Sequence, residues 1–169
     1  CADMASRSVA LNHLEDRIRV HTMDLKDAPD RLGHSAFDAV LCNPPYGKRG
    51  GALRNPRDEL AIARHEIATD LAAVVRSAAA LLKNGGRFFL IHQADRLPEI
   101  ARRLHEAGAP LKRVRLVHTS LERRAHLVLC EAVRFAGEGC IVLPPLLLQD
   151  AQGQPSQELL RIYQGERTV

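Results

Sequence analysis

The sequence predicts an α/β protein: a Rossmann-like, doubly wound sheet that closes with an antiparallel hairpin. Three observations carry that expectation. Two short runs, Phe37–Cys42 and residues 87–92, are almost wholly apolar, as strands buried on both faces of a parallel sheet are. Between them Leu60, Ala63, Ile67, Leu71, Val74, Ala78 and Leu81 recur at three- or four-residue steps, which predicts a long amphipathic helix over 58–83. Beyond them a further helix and two more strand-like runs follow, and such alternation belongs to sheets covered by helices.

Taken in order, residues 2–12 read as the end of an amphipathic helix, with Val9 and Leu11 apolar and Asn12 near its C-cap. Residues 17–23 alternate around Ile18 and Val20 and predict a strand that ends on Asp24 and Leu25. Residues 26–35 read as a polar connection, and 48–57, rich in Gly, Arg and Lys, as a loop. Asn84-Gly85-Gly86 predicts a left-handed cap on the long helix. Residues 97–107 predict a second helix, stopped by Gly108 and Pro110. Residues 112–118 and 127–135 predict two strands joined by a short charged link, hence the hairpin. The tail carries an apolar segment at 141–148, a turn at Gln152-Gly153 and a short helix at 158–163.

Composition narrows the classes. With 46% hydrophobic and 26% charged residues, the 169-residue chain is globular rather than disordered or fibrous. Its 24 Lys and Arg against 20 Asp and Glu leave a net charge of +4, which suits an anionic partner without demanding one. No apolar run approaches the ~20 residues that span a bilayer, so no membrane association is expected. The cysteines, Cys1, Cys42, Cys130 and Cys140, form no CxxC pair, and the eight histidines form no HxH or HxxxH pattern, so no metal is expected. A reducing, cytoplasmic setting is expected from this cysteine usage. The oligomeric state is not legible.

The chemistry concentrates in Asn43-Pro44-Pro45-Tyr46, directly after a predicted buried strand. Ligands of open α/β sheets sit at the carboxyl ends of strands. Two consecutive prolines stiffen the exit and remove two backbone donors, leaving acceptors near Asn43 and Pro44 beside the flat ring of Tyr46. An acceptor pair plus a stacking face suits an exocyclic amine, whose lone pair is otherwise delocalised into its ring. Acceptors that hold its hydrogens favour a pyramidal nitrogen with an available lone pair, and stacking holds a base taken out of its helix. Positioning and electrostatics then do most of the catalysis, with no strong general base. The basic residues Lys48, Arg49, Arg54 and Arg57 adjoin the motif, and seven Arg and Lys lie between Arg102 and Arg124, a candidate phosphate-contacting patch or a solvated edge.

NPPY resembles motif IV of the S-adenosylmethionine-dependent amino methyltransferases, which act on adenine N6, guanine N2, cytosine N4 or glutamine N5. Arg7–Asn12, with Asp16–Val20 and Asp24-Leu25, resembles the "methyltransferase small" group. Ile62–Ile67, Leu81–Gly86, Lys112–His118 and Glu158–Tyr163 are similar to the branch of bacterial tRNA adenine-N6 methyltransferases that modify a valine tRNA. The resemblance implies S-adenosyl-L-methionine as cofactor and tRNA as partner. It implies catalytic roles for Asn43, Pro44, Pro45 and Tyr46, and cofactor contacts from Asp24, Leu25 and Asn43. Substrate contacts would come from Tyr46, Lys48, Arg49, Arg64 and His65. Where the family often continues His-Pro-Arg and later Ala-Asn, this chain has His118-Thr119-Ser120 and Ala125-His126.

The family's glycine-rich cofactor loop after the first strand, and the acid that ends the second, have no counterpart in these residues. The resemblance therefore implies a partial catalytic domain over 1–136 that lacks the first two strands, followed by an appendage over 137–169. It also implies an N-terminal truncation that leaves the chain alone inactive. The expected function is methyl transfer to adenine N6 in tRNA. A protein glutamine-N5 methyltransferase and a non-catalytic nucleic-acid-binding module are the alternatives. On this reading the 169-residue chain binds S-adenosylmethionine very weakly or not at all, and micromolar affinity in titration calorimetry would contradict it.

Overall fold

The computed structural model describes residues 1–44 and 71–165. Among the described residues the elements are helix α1 (Ala2–Leu11), a 3-10 turn (Leu25–Asp27), helix α2 (Ala28–Leu32), strand β1 (Phe37–Cys42) and helix α3 (Leu71–Leu81). Strand β2 (Leu82–Gln93), a second 3-10 turn (Ala94–Arg96) and helix α4 (Leu97–Glu106) follow. The chain continues through β3 (Leu111–His118), β4 (Leu127–Val133), the two-residue strands β5 (Ile141–Val142) and β6 (Leu146–Leu147), and helix α5 (Gln157–Tyr163).

The strands form one mixed sheet in the order β1-β2-β4-β3-β5, with β6 also on β3. β1 and β2 run parallel, with Cys42 opposite Leu90. β4 is antiparallel to both neighbours: Leu127 lies opposite Gln93 on β2 and Val117 on β3. β3 therefore runs in the same direction as β1 and β2, and the predicted hairpin is present.

One sheet face carries the core. Phe88 and Leu90 from β2, Val128, Cys130 and Ala132 from β4 and Val114 from β3 meet Leu71, Val74, Val75 and Ala78 of α3 and Ile100 and Leu104 of α4. α4 fits its place because Leu97, Ile100 and Leu104 repeat at three- and four-residue steps, and Pro98 occupies the first turn, where a missing N–H costs nothing. α3 is buried almost all round, with Arg76 as its exposed exception.

Four expectations need correction. Residues 17–23 form no strand: the segment is irregular and mostly exposed, and no described strand lies beside it to complete its hydrogen bonds. The connection over 26–35 is not merely polar, since it forms a 3-10 turn and α2, and buries Ala28 and Pro29 against the core layer. β1 is a strand as expected but is not buried on both faces. Leu41 is 78% exposed, while Val40 and Cys42, on the alternate face, pack on the core.

The fourth concerns Asn84-Gly85-Gly86. α3 ends at Leu81, and the glycines lie inside the long β2, where the pairing with β1 slips between Phe37 and Ala39. Gly85 adopts φ +75°, and a Cβ on Gly86 would stand 2.9 Å from the Lys83 carbonyl oxygen. The glycines thus serve an irregularity of the strand rather than a helix cap. For the long predicted helix, 71–81 is helical and the rest, 58–70, lies outside the described residues apart from Leu82 and Lys83, which are strand.

The tail is tied to the sheet by one guanidinium. β5 and β6 pair with β3 at Val114 and Val117, and Pro144-Pro145 between them can donate nothing to the ladder. Arg115 lies on β3 at that gap. It donates to the carbonyl oxygens of Pro144 at 2.8 Å and Pro145 at 3.5 Å, and pairs with Glu158 of α5 at 2.7 Å. Ser156 caps α5 by accepting from the Leu159 N–H and donates to the Leu147 carbonyl. Arg115→Met is expected to lower the local opening energy of the Leu143 and Leu148 amides by about 1.5–3 kcal/mol, the scale of charge-assisted hydrogen bonds. Native-state hydrogen exchange checks this; equal loss of protection at Leu90 and Val128 would mean that the whole sheet had loosened instead.

Candidate active site at the carboxyl end of the sheet

β1 delivers Asn43 and Pro44 to the carboxyl end of the parallel pair. Cys42 is the last paired residue of β1, and β2 continues past Leu90 to Gln93. Asn43 is exposed and Pro44 buried, so the chain leaves the sheet over a fixed imide while the asparagine stays accessible. Half-buried Cys42 packs on the core, and burial pushes its thiol above its ordinary pKa, which suits a packing residue rather than a nucleophile.

Pro45, Tyr46, Lys48, Arg49, Arg64 and His65, with Arg54 and Arg57, lie outside the described residues. Asp24 and Leu25 belong to a different element. Asp24 is exposed and caps the 3-10 turn, one carboxylate oxygen accepting from the Lys26 N–H at 2.9 Å. Leu25 is half-buried against the core cluster. A carboxylate with acceptor capacity beside an apolar side chain fits the amine edge and flat face of an adenine, so both residues fit the expected cofactor.

The sequence pattern alone did not single out His92. It follows Phe88 and Leu90 on the core-facing side of β2, two residues past the register of Cys42, and is only 5% exposed. Its Nδ1 accepts the Gln93 N–H at 2.8 Å, which requires the neutral ring with its proton on Nε2. Burial, reinforced by the nearby Arg96 charge, lowers its pKa. The signal in the sequence was the alternation of residues 88–93, which puts a polar ring on an apolar face.

Among the described residues no group of His, Cys, Asp and Glu could hold a metal ion, and no helix is long and apolar enough to cross a membrane.

Comparison with solved structures gives the fold. A predicted O-methyltransferase from Agrobacterium tumefaciens superposes with a TM-score of 0.73 at 20% identity, over 99% of this chain and 76% of that one. A putative sarcosine dimethylglycine methyltransferase from Galdieria sulphuraria gives 0.56 at 10% identity, over 79% and 65%. The fold is the Rossmann-like fold of class I S-adenosylmethionine-dependent methyltransferases.

Within that class the chain resembles curated proteins named tRNA1(Val) (adenine(37)-N6)-methyltransferase. That of Porphyromonas gingivalis is 29% identical over 167 residues, 95% of this chain and 64% of the relative. That of Phocaeicola vulgatus is 29% identical over 140 residues, 83% and 57%. In a second Porphyromonas gingivalis strain identity reaches 32% over 117 residues, 68% and 44%. The chain thus spans under two thirds of the length of these relatives. No family model matches it.

The buried His92 generates a pH prediction. Its folded pKa lies below the unfolded value near 6.5, so below about pH 6.5 the unfolded chain takes up a proton that the folded chain refuses. Stability contributed by the neutral ring is complete above that value and is lost as pH falls through it. Urea midpoints are expected to fall between pH 7.5 and 5.5, and His92→Gln is expected to flatten the fall. An equally steep fall in the variant would assign it to other groups.

Proposed function

We propose that the protein transfers a methyl group from S-adenosyl-L-methionine to N6 of an adenine in tRNA. The observation that carries this reading is Asn43-Pro44 at the carboxyl end of β1, in a methyltransferase fold, with relatives named for adenine-N6 transfer. When bound, the cofactor supplies an electrophilic methyl group on a sulfonium. The Asn43 side-chain oxygen and the Pro44 carbonyl accept the hydrogens of the adenine amine and localise its lone pair. Pro45 holds the acceptors rigid, and Tyr46 stacks on the extruded base. With the cofactor bound, that localised lone pair would be the nucleophile for the methyl group it supplies, and the proton the amine gives up would pass to water. Asp24 and Leu25 would hold the cofactor's adenine, through its amine and its ring, and Asn43 would also contact the cofactor. Lys48, Arg49, Arg64 and His65 face the RNA. Residues 1–136 carry these groups as a catalytic domain, with 137–169 as an appendage. The protein works in the cytoplasm, where its tRNA is.

The test supplies the full-length protein with isotope-labelled S-adenosylmethionine and either total tRNA or release factors. Label is expected in tRNA; label in protein would assign the site to glutamine instead. Asn43→Ala is expected to lower transfer about 100- to 1000-fold, the range for removing one preorganised polar group from a transition state. Its urea midpoint should stay within error of the parent, and parental turnover in this variant would remove the mechanism.

A further inference from the structure

We propose that the turn joining β3 to β4, with Arg123 and Arg124 at its tip, grips the phosphate backbone of the RNA beside the reacting base. This rests on the tRNA reading above and adds an interaction that the reading does not assign.

Topology gives the turn its place. β3 runs parallel to β1 and β2, so His118 ends β3 on the same sheet edge as Asn43. The link is direct on the far side as well, since the N–H of Ala94, just past β2, donates to the His126 carbonyl at 3.0 Å. Three strand spacings separate β1 from β3 laterally, about 14 Å in all. A short stretch of polynucleotide bridges that distance.

Charge pairing then separates these two arginines from the other basic residues nearby. Arg102 pairs with Glu106 at 2.6 Å and Arg103 with the same carboxylate at 3.5 Å. Lys112 donates to the carbonyl of Glu138 at 2.9 Å. Arg113 lies 3.8 Å from Glu131, and Arg115 is held by Glu158. Arg123 and Arg124 are exposed, and neither forms an ion pair among the described residues. The acid within the turn, Glu122, stays ionised but forms no ion pair with either arginine among the described residues. Its carboxylate is occupied by its own N–H and the Ser120 hydroxyl, which hold its pKa below the ordinary range. Two guanidinium groups with no ion pair among the described residues thus stand at this sheet edge, and planar guanidinium donors match phosphate oxygens.

The turn is also preorganised. His118 donates from Nδ1 to the Arg123 carbonyl at 2.7 Å, and the Arg123 N–H donates to the Ser120 carbonyl at 3.2 Å. From the tail, the N–H groups of Leu148 and Gln149 donate to the carbonyls of His118 and Thr119, each at 2.9 Å. A turn braced from both sides loses little entropy on meeting a ligand.

Filter binding of total tRNA to the whole protein, from 50 to 300 mM salt, tests this. Arg123→Gln with Arg124→Gln is expected to weaken binding about tenfold at the lowest salt. The slope of log affinity on log salt should flatten by about two, one for each phosphate that the variant no longer neutralises. Arg123→Lys with Arg124→Lys should restore most of the salt slope. Arg76→Gln with Arg102→Gln, the same charge change on α3 and α4, should leave affinity within twofold of the parent, and thermal midpoints control for folding. Parental tRNA binding and slope in the glutamine variant would overturn the grip while leaving the proposed reaction intact. A parent that does not bind tRNA and labels release factor would overturn both.

Discussion

Cys42 lies opposite Leu90 in a parallel pair, and parallel strands cannot be joined by a tight turn. The chain must leave one end of the sheet, cross a face and re-enter at the other end. The last part of that crossing is α3, which therefore sits on the sheet and is itself covered by α2, the first 3-10 turn and α4. This accounts for a helix composed almost entirely of Leu, Val and Ala. It also explains why Asn43 and Pro44 emerge at the carboxyl end of the parallel pair.

The parts of this arrangement that depend on local periodicity are readable from the sequence. Ile100 and Leu104 recur on one side of a short run, and β2 and β4 bury Phe88, Leu90, Val128, Cys130 and Ala132 at alternate positions. The parts that depend on a neighbour are not. Residues 17–23 have the alternation of a strand, but alternation supplies no hydrogen-bond partner. Asn84-Gly85-Gly86 has the composition of a helix end, yet the backbone there belongs to a strand whose register slips. In the candidate site, Asn43 and Pro44 were legible because a proline pair after an apolar run marks a strand exit. His92 was missed because a single histidine has no spacing to recognise.

Basic residues show the same division most clearly. As composition, Arg102, Arg103, Lys112, Arg113, Arg115, Arg123 and Arg124 are equivalent. In the fold they are not, because each carboxylate or carbonyl that a cation engages lowers the field that it presents to solvent. The cations on α4 and along β3 mostly stabilise the protein's own surface and tail. Their position at the sheet edge and their lack of an ion pair among the described residues, neither of which spacing encodes, distinguish the two arginines of the turn.

The sheet also joins contacts of two very different ranges. β3 and β4 pair residues 10 to 21 apart in the chain, whereas β2 meets β4, and β1 meets β2, across 34 to 48 residues. Closing the longer loop costs more chain entropy before any contact repays it. The β3–β4 hairpin is thus the natural nucleus, with β2 and β1 docking after it. The strand that carries Asn43 is secured after that hairpin as the chain folds, so the edge of the proposed site matures only after the scaffold that supports it.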